Sequence, residues 1–405
     1  MKTISSSLTN NCHYLFCTRN SRNLIPKFDK NRGVFSLQSL IKKQSFTSST
    51  NEEVPFAGWS MPVLYSNMGI LASHLHTRAD ASLFDVSHML QMRILGKDSV
   101  TFIEKLVVAD LKELPLDTST LSVFTNEQGG IIDDTVICKK HDHIYIVSNA
   151  GCAQKDLAHI RNELGKFQNQ GGDVSLEVIN DHALLALQGP KSSNVLQNLT
   201  EANLNDFKFM TARTLKINGA DCHVTRSGYT GEDGFEIAVP STEAVKLANT
   251  LLENSFVQLA GLGSRDSLRL EAGLCLYGHD LDDTTSPVEA GLTWTIGKRR
   301  RQEGGFLGAN HILNHIKNGV TRRRVGLIVE GAPARENAEI FNMEEVKIGK
   351  VTSGGPSPSL KKNIAMGYVK SGFHKSNTEL QVKVRNQLQK ARIVKMPFIT
   401  PNYYK

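Results

Sequence analysis

The sequence predicts an α+β body followed by a small all-β C-terminal domain. Three observations carry that expectation. From residue 56 to about 300, apolar segments of strand length alternate with longer segments of helical period. At 297–305 a polar, glycine-rich stretch (Gly-Lys-Arg-Arg-Arg-Gln-Glu-Gly-Gly) reads as a joint. After one more short helix, at 309–316, the segments 324–329, 345–351, 365–369 and 380–384 are strand-like and divided by Gly, Pro and Ser clusters, as in a small β-barrel or sandwich.

Within the body, 123–125 and 131–137 read as strands joined by the hairpin loop 126–130, whose Asn126, Gly129 and Gly130 are turn residues. Residues 143–147, 174–179 and 182–187 read as further strands. Helices are predicted at 151–164, 192–199, 242–252 and 264–272, the last capped by Ser264 and Asp266 and stopped by Gly273. A chain of 405 residues, 40% hydrophobic and 21% charged, has room for two or three such domains. No apolar stretch approaches the length of a membrane span, so no membrane role is expected.

The formal charge of +7 resides entirely at the N-terminus. Residues 1–50 hold five Lys and three Arg against a single acid, Asp29, leaving 39 basic and 39 acidic residues in the remainder. A neutral body gives no electrostatic footprint for nucleic acid. The head is rich in Ser, Thr and Asn, poor in acids, and spaced with Leu15, Phe16, Leu24, Ile25, Leu37, Leu40 and Ile41. That is the composition of a mitochondrial transit peptide, so residues 1–50 are expected to direct the chain to the mitochondrial matrix. The body's Cys138, Cys152, Cys222 and Cys275 lack zinc or redox spacing and read as buried free thiols. His74, His76, His311 and His315 lack a third ligand and read as structural or surface residues, so no metal is expected. Phosphate-loop, dinucleotide and nucleophile-elbow fingerprints are absent.

Three groups could carry chemistry. Asp133 and Asp134 stand adjacent in a strand, so they face opposite sides of it, and both sides are otherwise largely apolar. At least one carboxylate is then desolvated and needs a donor, either from the protein or from a ligand; a turn-proximal Asp held by backbone amides is the plainer alternative. Glu236 follows the bend at Gly231 and Gly234, opposite to Phe235, Ile237 and Val239. On a strand it can accept two parallel hydrogen bonds from an amidine-like edge such as that of a pterin or guanine, or it is a surface residue. Arg265 lies one turn from Arg269 on a helix face, suited to an anionic or carbonyl group of a ligand or to ordinary ion pairs. The run 298–301 reads as a docking patch for an acidic partner or as a solvated linker.

Singly these signals are weak; their order is specific. Phe56-Ala-Gly-Trp-Ser-Met-Pro-Val, Ser82-Leu-Phe-Asp-Val-Ser-His-Met, Gly129-Gly-Ile-Ile-Asp-Asp, Val147-Ser-Asn-Ala-Gly, Leu187-Gln-Gly-Pro, the 226–236 segment and Thr352-Ser-Gly-Gly-Pro-Ser-Pro-Ser-Leu-Lys-Lys-Asn follow one another as in a single family. Over about residues 56–405 the chain resembles the T-protein family of the glycine cleavage system, the folate-dependent aminomethyltransferases. The resemblance implies a three-domain cloverleaf around a folate cavity. It divides the chain into the head at 1–50, two interwoven α+β domains at 51–310 and a β-barrel domain at 311–405. It implies transfer of a one-carbon unit from the aminomethyl-dihydrolipoyl arm of a lipoylated H-protein to tetrahydrofolate, releasing ammonia. It places the essential aspartate at Asp134, the pterin-binding carboxylate at Glu236, further folate contacts at Arg265 and Tyr403, and cavity lining at Met89, Val147 and Asn149.

The chain departs from the family at one place. The family usually carries a short helix and a His-x-x-x-Gly-Gly-Lys-Met stretch before Phe-Ala-Gly-Trp, where this chain has Ser48-Ser-Thr-Asn-Glu-Glu-Val-Pro. An N-terminal element is expected to be missing, and a catalytically inactive folate-binding relative is the alternative that follows. A sarcosine or dimethylglycine dehydrogenase would need a flavin domain, and the iron–sulfur-assembly relatives carry a different motif where this chain reads Gly273-Leu-Cys-Leu-Tyr-Gly-His.

Overall fold

Ala57 and Gly58 both adopt positive φ, 52° and 86°, making the two-residue turn between β1 (Glu53–Phe56) and β2 (Trp59–Pro62). This hairpin opens the computed structural model, which describes residues 53–65 and 68–405. The basic head and residues 48–52, on which the targeting and missing-element expectations fall, lie outside the described residues.

Helix α1 (Ile70–Ala79) leads into β3 (Ala81–Asp85). There follow β4 (Leu90–Leu95), α2 (Ser99–Leu106), β5 (Thr118–Thr125), β6 (Ile131–Lys139), β7 (His143–Ser148), α3 (Ala153–Gln168) and β8 (Ser175–Val178). Strands β4 to β8 form one antiparallel sheet in the order β5-β6-β7-β4-β8. Its buried Met92, Ile94, Ile137, Ile144 and Ile146 pack against Phe102, Ile103 and Leu106 of α2 and Ile160 of α3.

The second sheet takes β9 (His182–Gln188), then, beyond α4 (Ser192–Gln197), β10 (Ala212–Ile217), β11 (Ala220–Thr225) and β12 (Gly234–Pro240). Helix α5 (Ser241–Leu252) presents Ala244, Leu247, Ala248 and Leu251, spaced at helical period, to that sheet. After it come β13 (Val257–Leu259) and α6 (Leu262–Glu271). The strand order is β10-β11-β12-β9-β3-β13, so β3, from before the first sheet, sits inside the second. The two α+β units are therefore interwoven.

Two short helices, α7 (Lys298–Glu303) and α8 (Ala309–Asn318), precede the barrel. Its strands are β14 (Arg322–Val329), β15 (Glu339–Phe341), β16 (Lys347–Ser357), β17 (Lys362–Lys370), β18 (Glu379–Val384) and β19 (Gln387–Val394). They close in the order β14-β17-β16-β15-β18-β19, deciding barrel over sandwich. Each of the three units has its own apolar core, and closure leaves the barrel no unpaired edge.

Polar joints tie the units together. Glu271, fully buried at the end of α6, accepts from Ser357 Oγ at 2.5 Å and Ser359 N at 3.0 Å in the barrel, and from Arg78 Nη2 at 3.0 Å in α1. His74 Nε2 lies 3.0 Å from the same carboxylate. Arg269 donates to Asp280 at 2.8 Å and to Ser353 Oγ of β16 at 2.9 Å.

Two local expectations need correction. Helix α6 starts at Leu262, two residues before the predicted cap; Ser264 Oγ instead donates to the Gly261 carbonyl inside the first turn, and Asp266 accepts from Arg269 at 2.8 Å. Gly273, with φ 66°, does end the helix. The run 298–301 is not a solvated linker. It is helical, and Arg299 pairs with Glu104 at 2.6 Å and Asp110 at 2.8 Å, while the buried Arg300 donates to the Glu104 carbonyl. Arg301 donates to the Ile296 and Thr293 carbonyls. The four body cysteines are buried free thiols, as expected.

Candidate active site

Strand β6 brings the paired aspartates to the inner end of the first sheet. Asp133, Thr135 and Ile137 are buried, whereas Asp134 and Val136 are half-buried on the other face. The alternation holds from Asp133 onward; a bulge, where Phe124 pairs with Asp133 but Thr125 with Ile131, bends the strand just before it. Gly130 supports this entry, because a Cβ there would fall on the Asp283 carbonyl.

One residue holds both carboxylates. Strand β7 leaves its pairing with β6 after Ser148, opposite Thr135, so Asn149 is free to turn its polar groups back. Its backbone N–H donates to Asp133 Oδ2 at 3.0 Å. Its amide Nδ2 donates to Asp133 Oδ1 at 2.9 Å and to Asp134 Oδ1 at 3.0 Å. Expected as cavity lining, Asn149 is a clamp.

Behind Asp133 stands Asp156 of α3, which is also buried. Burial raises the pKa values of Asp133 and Asp156 above the usual carboxylate range, and their mutual charge keeps both from ionising together. Asp134 is pushed up to about 7, by burial first and then by the Asp133 charge, with the Asn149 hydrogen bond opposing.

The second sheet supplies Glu236. Phe235, Ile237 and Val239 point into the sheet's own core, fully buried, so Glu236 faces the first sheet. It lines a cavity with Val136, Tyr145, Val147, Leu184 and His223. Val136, which lines this cavity, shares the face of Asp134 on β6. Glu236 Oε2 accepts from Ser227 Oγ at 2.9 Å; burial raises its pKa, and Ser227 and the Arg265 charge oppose the rise. Val147 and Met89 pack with Phe84, Leu184 and Ala238 at the seam of the two sheets.

Arg265 projects from the first turn of α6, with its guanidinium carbon 4.7 Å from the centre of the Tyr229 ring. That guanidinium makes no hydrogen bond or ion pair among the described residues, although Glu236, Asp134 and Tyr229 favour its charge. Arg269, its neighbour one turn on, is by contrast consumed by Asp266 and Asp280. Tyr229 donates to the Cys275 carbonyl. On the other side of Arg265 lies a second cavity with Asp85 and the buried His88, whose pKa is lowered to about 3 by burial first and by Arg265 second.

Tyr403 stands at the margin. It stacks on Phe209 at 4.1 Å between ring centres, in a tail anchored where Asn402 N donates to the Gly231 carbonyl at 2.8 Å. The residue after Phe209, Met210, accepts from the backbone of Ser119, which lines the Glu236 cavity. The structure thus gathers Asp134, Asn149, Val147, Met89, Glu236 and Arg265 around one seam, with Tyr403 beside it. Sequence reasoning missed Asp156, Ser227, Tyr229 and His88. A signal for Asp156 existed: it lies at helical spacing with Ala153, Leu157, Ile160 and Leu164, an acid on an apolar face.

Comparison with known proteins bears on what this site serves. Residues 45–300 match the family model described as the GCVT N-terminal domain, and residues 322–399 the glycine cleavage T-protein C-terminal barrel domain. The chain is 53% identical over 381 residues to the mitochondrial aminomethyltransferase of Pisum sativum, covering 92% of this chain and 93% of that one. It is 56% identical over 353 residues to the mitochondrial aminomethyltransferase of Homo sapiens, covering 87% of each. The crystal structure of the glycine cleavage system aminomethyltransferase T from Bartonella henselae superposes with a TM-score of 0.84 at 38% identity, over 92% of this chain and 99% of that one. Nothing in these likenesses favours the inactive alternative. The chain belongs to the glycine cleavage T-protein family of aminomethyltransferases.

Proposed function

We propose that the cavity between the two sheets holds tetrahydrofolate, the family's substrate. There the chain moves a one-carbon unit onto it from the aminomethyl-dihydrolipoyl arm of a lipoylated H-protein, releasing ammonia and giving 5,10-methylenetetrahydrofolate. The observation that carries this reading is the guanidinium of Arg265, which makes no hydrogen bond or ion pair among the described residues although it feels the charges of Glu236 and Asp134, two carboxylates of raised pKa. Such a group of buried charges awaits a ligand bearing both donors and acceptors.

The residues divide the work by chemistry. Glu236 keeps acceptor capacity beyond the single bond from Ser227 and takes the amidine-like edge of the pterin. Arg265 offers its free donors to carbonyl or carboxylate oxygen of the same ligand. Asp134 accepts the N–H of the attacking folate nitrogen, which raises its nucleophilicity. Ionised, Asp134 also stabilises the positive charge that develops as ammonia departs. Met89 and Val147 exclude water at the seam, and Tyr403 closes its margin. The enzyme is mitochondrial, like its named relatives, and no helix among the described residues is long and apolar enough to cross a membrane. The domain division at 50 and 310 follows the same reading.

The test supplies the purified chain with tetrahydrofolate and aminomethyl-loaded H-protein and follows methylenetetrahydrofolate. Folate-dependent product is expected; a folded chain that binds folate and yields none overturns the reading. Glu236→Gln is expected to raise the KM for tetrahydrofolate by about 10-fold or more, since a hydrogen bond to a charged group is lost, with a smaller change in kcat. Equal losses in kcat and kcat/KM with KM unchanged would remove Glu236 from ground-state binding.

A further inference from the structure

Asp133 is not needed to line the cavity, yet it is fully buried and accepts two of the hydrogen bonds that orient Asn149, one from its backbone and one from its amide. The Asn149 amide has two hydrogens and three acceptors within reach: Asp133 Oδ1 at 2.9 Å, Asp134 Oδ1 at 3.0 Å and the Asp134 carbonyl at 3.3 Å. Its rotamer is thus set from one side by Asp133 and spends its remaining hydrogen on Asp134. Adjacent strand residues point to opposite faces, and Asn149, placed where β7 leaves the ladder, is the link around the strand edge. Behind Asp133, both carboxylate oxygens of Asp156 are buried, and after burial itself the charge of this acid and its side-chain hydrogen bond to Asp133 raise the Asp133 pKa.

We propose that Asp133, backed by Asp156, is a positioning residue for the transfer, holding Asn149 so that the amide fixes the Asp134 carboxylate at the cavity wall. The proposal rests on the reading of Asp134 as the group that meets the folate nitrogen. Two effects follow, and they separate. Through Asn149, Asp133 governs the placement of Asp134 and hence kcat. Through space, its charge raises the pKa of Asp134. The other charged or titratable groups facing Asp134 are Asp280, Arg265, Tyr229 and Cys275, on other elements, and Asp156 through α3. Cys152 and Tyr277 face Asp133.

Asp134 acts ionised, and its folded pKa is raised partly by the Asp133 charge, so neutralising Asp133 lowers it and moves the acid limb of the kcat profile to lower pH. The Asn149 hydrogen bond favours the ionised form, so removing it moves the limb to higher pH.

Transfer assays with tetrahydrofolate and aminomethyl-loaded H-protein, across pH, test this on Asp133→Asn, Asn149→Ala, the double variant and Asp134→Asn. Asp133→Asn is expected to lower kcat by about 10- to 100-fold with little change in the KM for tetrahydrofolate, and to shift the limb down. Asn149→Ala is expected to lower kcat and shift the limb up. In the double variant the kcat loss should not exceed that of Asn149→Ala alone, because the two losses share one path, while the downward shift persists. Fully additive kcat losses, or an unmoved limb in folded Asp133→Asn, overturn the proposal. Should Asp133→Asn fail to fold, Asp133→Ser takes its place and must lower kcat and move the limb down; an unmoved limb there overturns it equally. Activity retained in Asp134→Asn would sink the reading of Asp134 itself, a different failure from either of these.

Discussion

Asp134→Asn is expected to abolish transfer, lowering kcat by at least about 100-fold, while the protein folds and melts as before. The amide keeps the shape and can still accept from Asn149, so the clamp survives. What it loses is the ionised oxygen that, in the function proposed above, takes the N–H of the attacking nitrogen and faces the charge left as ammonia departs. Folding should be indifferent, or slightly favoured, because a half-buried carboxylate crowded by Asp133 is replaced by a neutral group. Single-turnover assays with circular dichroism on the same sample check both halves. Near-full activity would remove Asp134 from the chemistry, and an unfolded variant would show its carboxylate to be structural.

Glu271→Ala is expected to bring the largest loss of stability. The carboxylate has no exposed surface and is shared by Arg78, Ser357 and Ser359, with His74 alongside. Removing it leaves the Arg78 guanidinium, in a site only 12% exposed, with Glu232 as its remaining carboxylate. Breaking one side of a buried ion pair costs about 3–5 kcal/mol, to be read as a fall in the urea midpoint at unchanged slope. The same group makes the fold acid-sensitive. The Glu271 pKa is lowered to about 2, by hydrogen bonds and charge that outweigh burial, from an ordinary 4.5. Its contribution is therefore complete above the unfolded value and is lost as pH falls from about 4.5 through about 2. A variant whose stability keeps the parent's slope across that window would show that other carboxylates govern acid unfolding.

Much of this arrangement is legible in the sequence because its carriers are local. The hairpin of β5 and β6 shows as two strand-like segments rich in Val, Ile, Phe and Thr on either side of the turn residues Asn126, Gly129 and Gly130. Phe235, Ile237 and Val239, all on one side of β12, leave Glu236 on the side away from their core. The motif resemblance then attaches chemistry to Asp134, Glu236 and Arg265. What stays hidden depends on partners far along the chain. The arginines of α7 look solvated because Glu104 and Asp110, which neutralise Arg299, are about 190 residues away. Strand β15 is three residues long, and β19 has exposed Gln387, Leu388, Lys390 and Arg392, so neither shows a run of strand character. The offset at the start of α6 arises because Ser264 bonds its own first turn instead of capping it. The motif resemblance marks Asn149 only as cavity lining, and its hold on the two acids stays hidden because only the end of the β7 ladder brings its amide to them.

The placement of β3 between β9 and β13 fixes an order in time. The strand emerges early, but its sheet partners β9 and β13 come about 100 and about 175 residues later, after the whole first sheet has been threaded between them. The first sheet is a contiguous insertion that can acquire its core on its own, whereas β3 must wait, unpaired, for the rest of its sheet. Refolding followed by pulsed hydrogen exchange should therefore protect β4–β8 before β3, and the wall bearing Asp134 should exist before the wall bearing Glu236. Simultaneous protection of both sheets would show that they form as one nucleus. In the expected order, the cavity between the two sheets is the last part of the molecule to come into being, and a chain halted midway holds Asp134 with no Glu236 yet opposite it.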